Sequence, residues 1–296
     1  MVRKIICSAI ALLVIAFSSC EKIVVDDSEG TATSKDEATT GLVVKCNLLK
    51  TQLTRATTVQ ASKYAKRIAW ALLDTEGKVA YKGEQTSESN VFGSLNINCD
   101  PGEYRLIVFA TSGKGEINID ENGMVFYTEK QIYESFAAYK DVSVKKNKRT
   151  PISMTLDRCV SNFTFHSTDV MPASVSSLHV TYSGLSTKYN VVLGKGDTPT
   201  TYERTIPMTG FTGKQLNSSF VLFLPESECT GSIDMQFLDE NNNILFDDNF
   251  VDAKFMVNHK TVYTGAMFTS AGVDSEELLI ATDWGEDINI NEEALN

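Results

Sequence analysis

An all-β chain folded as two sandwiches is what this sequence predicts, and three observations predict it. Apolar and polar residues alternate with the two-residue period of half-buried strands, in short runs rich in Val, Ile, Thr, Phe and Tyr. Clusters of Gly, Asn, Asp and Pro punctuate those runs about every ten residues. A sustained helical period is missing, and Glu129 to Ala138 is the one candidate helical turn, brief and weakly amphipathic.

The chain opens on Met1-Val2-Arg3-Lys4, then an apolar run from Ile5 to Phe17, the small pair Ser18-Ser19, and Cys20. A basic start, an apolar stretch too short to cross a bilayer and small residues before a cut describe an export signal and not a membrane span. A cysteine at the cut is the mark of a bacterial lipoprotein signal. Residues 1–19 are therefore expected to be removed and Cys20 to carry the lipid, although Phe17 stands where such signals usually have Leu. The alternative is an ordinary secretory peptide whose cut lies beside a cysteine. Each buried acyl methylene contributes roughly 0.8 kcal/mol, so a diacylglycerol with an N-acyl chain would hold the body on a membrane. Residues 20–40 then read as a lipidated cysteine and stalk, because Asp, Glu, Ser, Thr and Gly dominate them and bury too little to offset ordering.

Loss of Arg3 and Lys4 with the leader lowers the basic side chains from 27 to 25 against 38 acidic ones, a mature net charge of about -13. Such a surface repels polyphosphate, so no nucleic-acid partner is expected. The densest basic cluster, Lys145-Lys146-Lys148-Arg149, reads as a solvated hairpin tip. The 276 residues after Cys20 suffice for two domains with real cores, drawn at 41–156 and 157–296.

In the first domain, 42–48 alternates. The run 67–73 enters the turn Asp74-Thr75-Glu76-Gly77 and leaves through 78–81 as a hairpin. Residues 94–98 lead into Asp100-Pro101-Gly102, and 104–110 departs as a strongly apolar strand. After Thr150-Pro151, 152–156 alternates toward Asp157-Arg158, and 160–166 carries Phe163 and Phe165 on one face. Further strands are read at 177–182, 189–193, 219–224 before Pro225, 233–238, 244–246 across the turn at Asn241 to Asn243, 257–263 and 278–280. The acidic end from Ala271 is either a last strand, the favoured reading, or an arm offered to a neighbour.

Reactive chemistry has no sequence support. His166, His179 and His259 sit in no metal or nucleophile–base motif, and the first two fall within strands. Gly194-Lys195-Gly196 and Ser112-Gly113-Lys114-Gly115 lack phosphate-loop spacing and read as turns. Asp247-Asp248 and Glu276-Glu277 lack the alternating ligands of a calcium loop. Cys46, Cys99, Cys159 and Cys229 have no zinc-like spacing; buried thiols are favoured, and one disulfide within a domain remains open. No catalytic residue, cofactor, metal or small-molecule substrate is expected. A surface glycan-binding lipoprotein is the alternative, but Trp70 and Trp284 lie in or beside strand-like runs that favour core packing over sugar stacking.

The lipoprotein start, the acidic stalk, Leu53-Thr54-Arg55-Ala56, Asp100-Pro101-Gly102-Glu103-Tyr104-Arg105-Leu106, Leu156-Asp157-Arg158-Cys159-Val160 and Asp283-Trp284-Gly285 stand in this order. Together they resemble the FimB/Mfa2-like fimbrial subunits of Bacteroidetes over nearly the whole mature chain. The resemblance implies two tandem transthyretin-like β-sandwiches, lipid-tethered to the outer membrane, that anchor or join a surface fimbria and partner other subunits. It also implies docking by strand complementation, in which a neighbour's strand satisfies the open edge and apolar groove of a sandwich lacking one strand. In shaft-type members an arginine after the first strand is cut, which makes Arg55 the candidate processing site; anchor-type members keep strand and lipid, and the anchor is the preferred reading.

Overall fold

Alternation becomes strand almost wherever the sequence displays it. The computed structural model describes residues 40–52, 55–269 and 279–281; the leader, Cys20, the stalk through residue 39, Glu276-Glu277 and Trp284 lie outside them. In chain order the strands are β1 (Gly41–Gln52), β2 (Arg55–Gln60), β3 (Arg67–Leu73), β4 (Val79–Thr86), β5 (Ser94–Asn98), β6 (Gly102–Thr111), β7 (Ile117–Ile119), β8 (Met124–Tyr127), β9 (Ser135–Val144) and β10 (Arg149–Arg158). They continue as β11 (Ser161–Val170), β12 (Ser177–Leu185), β13 (Lys188–Asn190), β14 (Lys195–Gly196), β15 (Thr200–Pro207), β16 (Gln215–Leu222), β17 (Glu228–Leu238), β18 (Ile244–Met256), β19 (Lys260–Gly265) and β20 (Leu279–Ala281). One helical turn, α1 (Ala61–Tyr64), joins β2 to β3. The class is all-β, as the sequence predicts.

In the first sandwich β1 runs parallel to β10 and antiparallel to β5 at its start and to β2 at its end. The facing sheet has the order β9-β6-β3-β4, and β10 passes to it at Asp157 and Arg158. Leu42, Val44, Leu48, Ile97 and Leu156 from one sheet meet Ile68, Leu72, Leu106, Val108 and Phe136 from the other. The second sandwich sets β16-β11-β19-β20 against β15-β12-β17-β18. Its core includes Phe163, Phe165, Tyr182, Phe220, Met235, Phe237, Phe255 and Tyr263.

A third core joins the two. The sheet β14-β13-β8-β7 takes two strands from each half of the chain. It covers the outer face of β3 and β6, where Ala69, Ala71, Leu73, Ile107 and Phe109 meet Ile117, Val125, Tyr127, Tyr189 and Phe223. Phe223 has ring centroids of Tyr189, Phe109 and Tyr127 at 5.5, 6.2 and 6.3 Å. Burial on both faces explains why residues 106–110 read as an unbroken apolar run instead of alternating.

Three hairpins use one device. Asp74, Asp120 and Asp239 each accept two backbone N–H groups on one carboxylate oxygen, from positions two and four residues onward. The residue at the third position takes positive φ: Gly77 at 81°, Gly123 at 75° and Asn242 at 64°. These are residue types that enter the left-handed region at little cost, which fixes each register locally.

Some expectations are corrected. Residues 129–138 are not helical: Ser135 to Ala138 pair with Thr111 to Val108 of β6, and that long ladder outweighs a weak helical preference. The basic cluster does not tip a hairpin, because β9 and β10 pair only at Ala137 with Asp157 and Phe136 with Arg158; the cluster is an exposed arch crossing between sheets. The strand read at 189–193 ends at Asn190 and turns through residues 191–194. The strands β2, β7, β8, β14 and β15 are too short or too polar to have been read.

Removing the ring of Phe223 would leave a void among three aromatic neighbours. Phe223→Ala is expected to lower unfolding free energy by about 3–5 kcal/mol, measured by chemical denaturation.

Candidate interaction site

The strand β1 is central to the first sandwich. Its side chains alternate strictly: Leu42, Val44, Cys46 and Leu48 are buried, while Val43, Lys45 and Asn47 face outward. Each of the fully buried aliphatic chains contributes about 1.5–3 kcal/mol. Backbone partners flank it on both sides, with Gly41 to Leu48 opposite Arg149 to Leu156, and Gly41 to Lys45 opposite Asn98 to Ser94. At its entry Gly41 has φ 147°, and a Cβ there would lie 2.0 Å from the Ile97 carbonyl oxygen, so only glycine fits. Taking β1 away would open the edges of β10 and β5 above an apolar groove.

At its far end β1 turns back on itself. The last pair of the β1–β2 hairpin is Gln52 with Arg55, which puts Arg55 first after the tip. A cut after Arg55 would sever the whole of β1 and all that precedes it from the rest. Downstream, Ala61 and Ala65 are buried in the sandwich core, so the chain is held again within a few residues. Cys20 lies outside the described residues.

A buried charged cluster ties this region to the second sandwich. Arg158 donates through Nε and one terminal nitrogen to a single Glu134 carboxylate oxygen, at 3.0 and 2.6 Å. Its other terminal nitrogen donates to Asn258, in the turn between β18 and β19, and its guanidinium lies 5.4 Å from the Phe136 ring centre. Tyr64 of α1 donates to the second Glu134 oxygen. One network therefore fastens α1, the segment before β9, the end of β10 and the second sandwich. Sequence reasoning missed it. The available signal was parity, since Arg158 follows Met154 and Leu156 at the inward positions of β10, where a charge demands a buried partner.

Other sequence-flagged residues are dispersed. His166 bonds Asn217 at 2.7 Å, His179 bonds Thr205 at 3.1 Å, and His259 bonds the Val257 carbonyl at 2.8 Å, so each is a separate structural contact. No group of His, Cys, Asp and Glu able to hold a metal occurs among the described residues. Trp70 is half-buried against the first core, its indole over Gly83. Gly113 and Gly115 make room for the Tyr133 ring, and Gly194, with φ 69°, closes the turn before β14. Cys46, Cys99, Cys159 and Cys229 are free thiols. Burial pushes Cys46 up to about 12 and Cys229 up to about 11, and raises Cys159 as well, so none is prepared as a nucleophile. An open groove of about 550 Å³ beside the Asp74 turn is lined by Glu103, Tyr104, Arg105 and Asp141, among others. There the Arg105 guanidinium bonds Asp141 at 2.7 Å and holds its carboxyl below the ordinary range. No helix among the described residues is long and apolar enough to cross a membrane.

Removing one member of the buried pair leaves the other charge uncompensated. Glu134→Gln and Arg158→Met are each expected to lower stability by about 3–5 kcal/mol, while the double variant recovers much of that loss; a double-mutant cycle on denaturation midpoints measures the difference.

No curated protein matches the chain in sequence. Solved structures similar to it include a proposed cell adhesion protein from Bacteroides ovatus ATCC 8483, at 14% identity over 85% of this chain and 100% of that one, TM-score 0.48. The fimbrial anchor protein Mfa2 from Porphyromonas gingivalis is similar at 12% identity over 81% and 96%, TM-score 0.47. Proposed polysaccharide-binding proteins from Bacteroides thetaiotaomicron VPI-5482 are similar at 10% identity over 84% and 98%, TM-score 0.49. A family model matches residues 32–294, and the chain belongs to that family of unknown function, DUF6562.

Proposed function

We propose that the mature chain is a non-catalytic outer-membrane lipoprotein, tethered through Cys20, that anchors or forms a minor subunit of a surface fimbria. In this reading residues 41–156 and 157–296 are its two sandwich domains, and it docks to other subunits by strand complementation. The observation that carries the reading is β1. A single strand supplies alternate side chains to a core, backbone pairing on both sides, and a boundary at each end: the stalk before Gly41 and the Arg55 hairpin after it. A strand of that kind is a unit that another chain's strand can replace.

Two forms of the protein follow from one strand. Kept in place, β1 leaves the body continuous with Cys20 and the lipid, which is an anchor. Cut after Arg55, the chain would begin at Ala56 and present an open groove to a neighbour, which is a shaft subunit. We favour the anchor, since the buried Leu42, Val44 and Leu48 hold β1 in place unless a replacement strand arrives.

Mass analysis of the native protein recovered from membranes is expected to find an acylated Cys20 at the N-terminus. Metabolic palmitate labelling is expected to vanish in Cys20→Ser. A mature form beginning at Ala56 would replace the anchor by the shaft subunit, and an unlabelled wild-type chain would remove the tether.

A further inference from the structure

The densest run of positive charge in this acidic chain lies where the stalk enters the body. Lys145, Lys146 and Lys148 occupy three of the four positions of the arch between β9 and β10, Arg149 opens β10, and the three lysines are exposed. The arch is fixed to the incoming chain by two hydrogen bonds. The Asn147 backbone N–H donates to Thr40 Oγ1 at 2.8 Å, and the Gly41 N–H donates to the Lys148 carbonyl at 3.2 Å. Asn147 itself takes φ 54°. Among the described residues, none of the three lysines enters an ion pair. Carboxylates on and beside the adjoining strands have partners of their own: Asp100 accepts from Tyr81, Asp141 is bridged to Arg105, and Glu103 accepts from Ser143.

We propose that this arch is the face by which the body rests on an anionic lipid surface, its lysines against lipid phosphates. The proposal rests on the lipoprotein reading for where the membrane lies. A polar chain of the length of residues 20–40, taken as a random coil, would span about 25 Å root-mean-square, enough for the arch to reach a bilayer that held Cys20. Charge then selects the orientation. With a mature net charge of about -13, the rest of the surface is repelled by lipid phosphates while this end is attracted. Screening within about 8 Å at physiological salt confines the attraction to the residues in contact, so the acidic remainder does not cancel it. The body would stand with the arch end of its first sandwich toward the bilayer.

The test uses the full mature chain carrying Cys20→Ser, so that binding owes nothing to acylation. It is expected to co-sediment with vesicles of phosphatidylcholine mixed with phosphatidylglycerol, to bind phosphatidylcholine alone several-fold less, and to be released by high salt. Combining Lys145→Glu, Lys146→Glu and Lys148→Glu is expected to lower binding on the order of 100-fold. Combining Lys63→Glu, Lys214→Glu and Lys254→Glu elsewhere on the surface should change it far less. Equal binding to both vesicles, or an arch triple variant that keeps its circular dichroism and binds as before, would overturn the proposal. Absence of any vesicle binding at low salt would also overturn it. Palmitate labelling of the wild-type chain reports on the tether separately, so either idea can fail without the other.

Discussion

A β-sheet that is apolar on both faces has to be covered twice, and that constraint organises this molecule. β6 and β3 place Leu106, Val108, Ile68 and Leu72 on one side and Ile107, Phe109, Ala69 and Ala71 on the other. β1, β5 and β10 cover the first side. Cover for the second comes from β7 and β8 on one half of the chain and β13 and Phe223 on the other. The two sandwiches are joined by burial and not merely by a linker. Their common core is aromatic, so its geometry as well as its area opposes separation.

The junction adds specificity to that burial. A buried pair such as Glu134 with Arg158 is weak evidence for net stability, since desolvation consumes most of the attraction. Its contribution here is positional: the guanidinium can satisfy Glu134 and Asn258 together only when β10, α1 and the β18–β19 turn stand in one arrangement. The helical turn α1, downstream of the Arg55 hairpin, is thereby held through Tyr64 independently of β1. Exchange of the first strand in the proposed assembly would leave its surroundings intact, as strand complementation requires.

Much of this was legible in the sequence, and the failures have physical causes. The strand 94–98, with one dry face, declares itself by alternation, and 67–73, buried on both faces, by the turn after it, whose Asp and Gly are chemically required. The apolar run 104–110 was readable as strand, but that Tyr189 and Phe223, 80 and 114 positions beyond Phe109, help to cover its second face is written nowhere locally. Ser135 to Ala138 carry weak helical character that long-range pairing with β6 overrides. At the candidate site, the alternation of β1 and the Arg55 boundary could be read. The Glu134–Arg158 pair could not, because its partners are 24 residues apart and meet only after β9 and β10 have closed the sheet.

Calorimetry of the mature chain tests the shared core most directly. One core common to both halves predicts a single cooperative transition whose calorimetric and van't Hoff enthalpies agree. Two resolved transitions, each assignable to one sandwich, would contradict it.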